Sequence, residues 1–175
     1  VIMQTIGFVP GAMKPFHAGH NHLIQTALSE CDRVIVFTST KDRGIIQGNN
    51  MFQAWQELIV PLLPNHIEVM AVKSPVGSVY DYLKWNGKEE HAYRIYGGTE
   101  DIGRLSKARM LQYYPSLNVV NVAEETPNAF TRGVVQAKGE WVRDTIKAGD
   151  HEKFRSFLPD FLKPHASEYL SILVS

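Results

Sequence analysis

The sequence predicts an α/β fold: a doubly wound, parallel five-stranded sheet with helices on both faces, followed by a helical C-terminal part. Five short apolar runs rich in β-branched residues alternate with helical patterns over residues 1–126. Such alternation implies parallel strands joined by right-handed crossovers. From Pro127 onward the patterns are mainly helical. At 175 residues the chain suits one well-buried α/β domain and is too short for two ordinary ones. The expected organisation is one domain over 1–175, with the α/β core at 1–126 and the helical subregion at 127–175.

The elements follow in order. Thr5-Ile6-Gly7-Phe8-Val9 reads as a strand buried on both faces. Leu23, Ile24, Ala27 and Leu28 then form an apolar stripe at helical spacing. Arg33 to Thr38 is a second buried strand, and Ser39 to Gly44 a polar loop at its end. A helix from about Met51 to Leu63 closes at Pro64. Ile67 to Val72 is the third strand. Ser78 is expected to cap a short helix through Trp85, which Asn86-Gly87 stops. Tyr93 to Tyr96 is the fourth strand, ended by Gly97-Gly98-Thr99. A helix from about Glu100 to Tyr114 stops at Pro115, and Leu117 to Val122 makes the fifth strand. Helical patterns over Glu140–Ala148, His151–Leu158 and Pro164–Leu173 complete the chain.

Composition narrows the function classes. Lys plus Arg equals Asp plus Glu at 18 each, so no global field attracts nucleic acid or an anionic membrane. The partner expected is a small molecule in a local pocket. Cys31 is the sole cysteine, which excludes an internal disulfide and suits a reducing compartment. No apolar run approaches membrane-spanning length, and the first residues lack a signal-peptide layout. The expectation is a soluble, cytoplasmic protein. A homo-oligomer is left open.

The chemistry concentrates in Gly11-Ala12-Met13-Lys14-Pro15-Phe16-His17-Ala18-Gly19-His20. A strand, a glycine and proline turn, and two histidines at a helix start make a phosphate-handling arrangement. The free N–H groups and positive dipole end of that helix favour an anion. Two imidazoles beside it can donate to charge developing on a phosphoryl group. Gly19 lets a base or ribose approach the backbone. The histidine pair, with His22 close by, also suits a metal, but no cysteine or carboxylate cluster completes a ligand set.

Pro15-Phe16-His17-Ala18-Gly19-His20 resembles the HxGH signature of the nucleotidyltransferase superfamily, which includes nicotinamide-nucleotide adenylyltransferases and cytidylyltransferases. The resemblance implies a Rossmann-like nucleotidyltransferase fold. It also implies attack by a phosphate-bearing substrate on the α-phosphate of a nucleoside triphosphate, with release of pyrophosphate. His17 and His20 would contact the triphosphate and stabilise its transition state, and Mg²⁺ would escort it. The helical C-terminal third resembles the adenylyltransferases more than the shorter cytidylyltransferases, which favours ATP over CTP and AMP as the unit transferred. Nicotinamide mononucleotide is one such acceptor. A non-catalytic nucleotide-binding module is the rival reading.

A second segment, Ala137-Lys138-Gly139-Glu140-Trp141-Val142-Arg143, looks like the family's C-terminal ISxTxxR motif. Arg143 then occupies the arginine, whose guanidinium suits phosphate oxygens. Lys138 and Glu140 stand where the family has Ser and Thr, so Lys138 would serve as a point charge. Arg132, beside Thr131, is the rival basic residue.

The remaining candidates are weaker. Lys14 lies within reach of a β- or γ-phosphate, and Gly11, Ala12, Met13 and Phe16 frame its loop. Gly97 and Gly98 permit close approach to a nucleotide, and Asp101 is a candidate to take a ribose hydroxyl or a metal-bound water. Lys41 and Arg43, after the second strand, are set to hold pyrophosphate oxygens or to bind the acceptor. Trp85 is a candidate to stack on a flat acceptor ring, as an aromatic in the corresponding region does in adenylyltransferases of this family.

Overall fold

A computed structural model describes residues 3–98, 101–126 and 137–175. Five strands, β1 (Thr5–Gly11), β2 (Arg33–Ser39), β3 (Ile67–Val72), β4 (Ala92–Ile95) and β5 (Asn118–Asn121), form one sheet in the order β3-β2-β1-β4-β5. Every pairing is parallel. The strand order reverses between β1 and β4, and ligands of open α/β sheets bind beyond the carboxyl ends of the strands at that point.

Both faces of the sheet are covered. Against one pack α1 (Ala18–Glu30), α2 (Gly48–Ala54) and three C-terminal helices, α6 (Gly139–Ala148), α7 (His151–Ser156) and α8 (Ala166–Leu173). Ile24, Ala27, Met51, Val142, Phe154 and Tyr169 supply the contacts there. The other face meets α3 (Pro75–Asn86) and α4 (Lys107–Tyr113) through Val79, Leu83 and Met110. A short α5 (Val122–Glu125) follows β5 directly. No helix among the described residues is long and apolar enough to cross a membrane.

Several boundaries differ from the sequence reading, each for a local reason. α3 starts at Pro75 instead of at Ser78. Ser74 Oγ accepts the Gly77 N–H, and Pro75 fills the first turn, where no N–H is needed. α4 begins at Lys107, well after Glu100, because Ser106 Oγ accepts the Arg109 N–H and 101–105 form turns. The predicted helix over 51–63 opens earlier, at Gly48, and changes character within. Residues Trp55–Ile59 form a π-helical turn and Val60–Leu62 a 3₁₀ turn. Pro61 has no N–H to give the Glu57 carbonyl, so the α ladder cannot continue there. α5 was not foreseen; Asn121 Oδ1 caps it by accepting from Ala123 and Glu124 N–H.

The loop between β2 and α2 closes tightly on itself. Asp42 Oδ1 accepts the Gly48 N–H at 2.8 Å, and Arg43 pairs with Ile46 in a short antiparallel bridge. A Cβ on Gly48 would lie 1.8 Å from the Thr40 carbonyl oxygen, a backbone atom that cannot swing away. Gly48→Ala is therefore expected to destabilise the protein by at least about 2 kcal/mol, read from urea denaturation.

Candidate active site

The chain leaves β1 at Gly11 and turns back at Met13, whose φ of 52° is left-handed for a non-glycine residue. Two anchors hold that turn. The Met13 side chain is buried in the core, and the hydroxyl of the buried Tyr169 on α8 donates to the Phe16 carbonyl at 2.8 Å. Phe16 itself is buried, packing on Trp55 with ring centroids 5.0 Å apart. The Lys14–Pro15 peptide is cis.

His17 caps α1. Its Nδ1 accepts the Gly19 N–H at 3.0 Å, while His20 Nδ1 accepts the His17 N–H at 3.3 Å. Both Nδ1 atoms are acceptors, so each neutral ring carries its proton on Nε2. The rings stack with centroids 3.8 Å apart. Gly19 fits this stack because a Cβ there would come within 2.9 Å of His17 Cε1. Burial pushes His17 down to about 4. Burial pushes His20 well below its ordinary range as well, aided by the charges of His17 and Lys14. The pair therefore offers two uncharged N–H donors near neutral pH.

This has a consequence for stability. An unfolded histidine takes up a proton near pH 6.5, whereas folded His17 does so only near 4. The unfolded state binds more protons across that window, so stability falls as pH drops from 6.5 towards 4 and is unaffected above it. Urea denaturation at pH 4.5 and 7 is expected to differ by roughly 2 kcal/mol on account of His17. His17→Asn keeps an oxygen acceptor for the cap and should narrow the difference.

Three cations converge behind the histidines. Lys14 is only 2% exposed. Its Nζ donates to the Ala12 carbonyl at 3.0 Å and to the Ser39 carbonyl, tying the ends of β1 and β2 together. Burial pushes Lys14 down to about 8, with Arg43 adding to the fall and Asp42 opposing it. Arg143 Nη1 donates to the Lys14 carbonyl at 2.7 Å. Its guanidinium lies in a slot between two glycines: a Cβ on Gly139 would approach Nη1 to 3.0 Å, and one on Gly44 would approach Nε to 3.3 Å. Burial and Arg43 lower Arg143 from its ordinary value, while Glu140 and Asp144 oppose them.

Other predicted residues divide by position. Gly97 lies beside the end of β1, with Pro10 Cγ 3.9 Å from where its Cβ would be, and Gly98 follows it beyond β4. Lys41 is exposed on the β2 loop beside Arg43. Asp101 is paired with Arg104, three residues on, which engages its carboxylate locally. Lys138 precedes α6 with its Nζ 5.2 Å from the centroid of the Trp141 ring. Trp85 is not brought to the site. α3 leaves the carboxyl end of β3 and runs back along the sheet, so Trp85, near its far end and 75% exposed, lies toward the amino ends of the strands. Thr131 and Arg132 lie outside the described residues.

Sequence reasoning missed Asp42, Ser39 and Tyr169. Only Asp42 carried a signal, as an acidic residue flanked by Lys41 and Arg43. Among the described residues no three His, Cys, Asp or Glu side chains gather to hold a metal.

No family model and no curated protein matches the sequence, whereas solved structures match the fold. A bifunctional NMN adenylyltransferase/ADP-ribose pyrophosphatase from Francisella tularensis superposes with a TM-score of 0.58 at 14% identity, covering 98% of this chain and 53% of that one. Another structure of that protein, complexed with AMP and a manganese ion, gives 0.57 at 17% identity, covering 98% and 52%. The chain thus spans about half the length of the Francisella protein. A protein assigned as a nicotinate-nucleotide adenylyltransferase from Vibrio parahaemolyticus gives 0.57 at 14% identity, with 94% of this chain and 99% of that one aligned. TmcAL of Thermotoga maritima, bound with alpha-thio ATP, gives 0.54 at 11% identity, covering 97% and 55%. At such identities the likeness is one of fold. The chain has the fold of these adenylyltransferases.

Proposed function

We propose that this chain transfers a nucleoside monophosphate, AMP in preference to CMP, from a nucleoside triphosphate to a phosphorylated small acceptor such as nicotinamide mononucleotide. The observation that carries the reading is the pair of neutral Nε2–H donors at the start of α1, with Lys14, Arg43 and Arg143 behind them.

An acceptor phosphate oxygen attacks the α-phosphorus, the bond from that phosphorus to the bridging oxygen breaks, and pyrophosphate leaves with the electron pair. No covalent enzyme intermediate is needed, since positioning and charge neutralisation suffice for transfer at phosphorus. His17 and His20 donate from Nε2 to phosphate oxygens. Arg143, with Nη1 committed to the Lys14 carbonyl, offers its remaining N–H groups to the leaving pyrophosphate. Lys14, held by two carbonyls, acts as a fixed charge instead of a reaching arm. Arg43 and Lys41 face the acceptor phosphate. Gly11, Gly97 and Gly98 leave room for the nucleoside over β1 and β4. Mg²⁺ enters as part of the substrate, carried on the triphosphate with its own waters; no set of three protein ligands gathers among the described residues to hold it separately.

A second reading is a non-catalytic nucleotide-binding module. It is favoured by Lys138 and Glu140, since neither supplies the hydroxyl expected there. Pyrophosphate release scored over ATP, CTP, GTP and UTP against a panel of phosphorylated acceptors separates the readings. Release that depends on both ATP and one acceptor is the expected result. Nucleotide binding without release across the panel would favour the module.

A further inference from the structure

We propose that Tyr169 is a positioning residue for the transfer: reaching in from α8, its hydroxyl fixes the Phe16–His17 peptide, and that peptide holds the His20 ring with its Nε2–H free for phosphate. The inference rests on the nucleotidyltransferase reading above.

One planar peptide group links the two side chains. Its carbonyl, on Phe16, accepts the Tyr169 hydroxyl at 2.8 Å, and its N–H, on His17, donates to His20 Nδ1 at 3.3 Å. The carbonyl and N–H of a trans peptide point opposite ways in one plane, so whatever orients the first orients the second. A donor on the carbonyl also polarises the N–H and strengthens the bond it gives. Burial keeps His20 uncharged near neutral pH, so its one ring proton goes to the nitrogen that its neighbours leave open. An N–H aimed at Nδ1 leaves the proton on Nε2.

The phenol is firmly seated. Tyr169 is fully buried, and its ring packs on Phe154 with centroids 5.9 Å apart. Its one hydroxyl proton goes to the Phe16 carbonyl, with Met51 Sδ alongside at 3.9 Å. Asn50 Nδ2 donates to the Leu173 and Ser175 carbonyls at 3.3 and 3.2 Å, which holds the end of α8 against α2. The next peptide is fixed from the same part of the chain: the Ala18 N–H donates to the Phe157 carbonyl, at the end of α7, at 2.8 Å. With the Arg143 bond to the Lys14 carbonyl, residues 14, 16 and 18 are each tied to a different C-terminal helix.

The test uses Tyr169→Phe, which removes the hydroxyl and keeps the ring. The full chain is labelled with ¹⁵N in its histidine rings and observed by NMR at pH 7.5, His20 being assigned from the signals lost in His20→Ala. Turnover of ATP is followed with the panel of phosphorylated acceptors. Wild-type His20 should show a protonated Nε2 and a bare Nδ1. In Tyr169→Phe its two nitrogen signals should move towards each other as the Nδ1–H form becomes populated. There kcat should fall about tenfold, with KM for ATP changed by less than about twofold, because the donor is displaced and not removed. In the His20→Ala background the same substitution should cost little further. Leu173→Ala, fully buried on the same helix, is the control: it destabilises α8 with the hydroxyl in place and should keep the wild-type ring signals and kcat. Unchanged His20 signals in Tyr169→Phe would overturn the proposal, as would an equal kcat loss in Leu173→Ala. So would a wild-type His20 protonated on Nδ1, which needs no variant to be seen. Should no form turn over any acceptor, the functional reading fails, whereas the ring signals still decide whether Tyr169 sets the His20 proton.

Discussion

Replacing His20 with alanine is expected to lower turnover by about a hundredfold or more, the scale of losing one donor to developing transition-state charge. The effect should fall on kcat. His20 Nδ1 is an acceptor within the cap of α1, so its Nε2–H is the group left to act on a ligand. The fold should survive: the apolar stripe of α1, with Ile24 and Ala27 fully buried, does not involve the ring. Losing the reciprocal cap costs about 1 kcal/mol, visible in urea denaturation but far from unfolding. His17→Asn makes the complementary separation. It preserves a capping acceptor while removing Nε2–H, and should also reduce kcat strongly. Near-normal pyrophosphate release from either variant would contradict the assigned roles.

The second large effect is expected at Arg143. Lysine keeps the charge but gathers its donors on one nitrogen, so it cannot reproduce the guanidinium's fork, in which Nη1 bonds the Lys14 carbonyl while separate nitrogens face elsewhere. Arg143→Lys should therefore lose roughly ten- to a hundredfold in kcat/KM, the worth of one charge-assisted hydrogen bond or somewhat more. Arg143→Ala should lose more, because the Lys14 carbonyl is then deserted as well. Arg132→Lys should be tolerated. The opposite pattern, with Arg132 the sensitive residue, would move the phosphate-binding motif to the neighbourhood of Thr131.

The sheet was legible in the sequence because parallel strands buried on both faces read as continuous β-branched runs. Val34-Ile35-Val36-Phe37 is such a run, and all four residues are buried. Helix starts were less legible because they depend on which polar side chain wins the first free N–H. Ser74, with proline behind it, outcompetes Ser78, and Ser106 starts α4 where Glu100 had suggested an earlier beginning. The histidine pair stood out as two imidazoles at a helix start, and Arg143 was reached through the resemblance to the family's C-terminal motif; the structure sets the Arg143 guanidinium against the Lys14 carbonyl. Lys14 could not be read in full. Its position in the turn was evident, but its inward path to the Ser39 carbonyl depends on the meeting of β1 and β2, which are distant in sequence. Trp85 misled because an aromatic at helical spacing says nothing about which end of the sheet its helix approaches.

The claim that the histidine loop transfers a nucleotide is tested most directly by following label through a single reaction. ATP labelled at the α-phosphate, or separately at the γ-phosphate, is mixed with nicotinamide mononucleotide and the other phosphorylated acceptors of the panel. The α-label should appear in a dinucleotide product and the γ-label in pyrophosphate, with both signals formed far more slowly in His17→Asn and His20→Ala. Transfer of the γ-label to the acceptor, or label transfer that survives loss of both histidines, would contradict it.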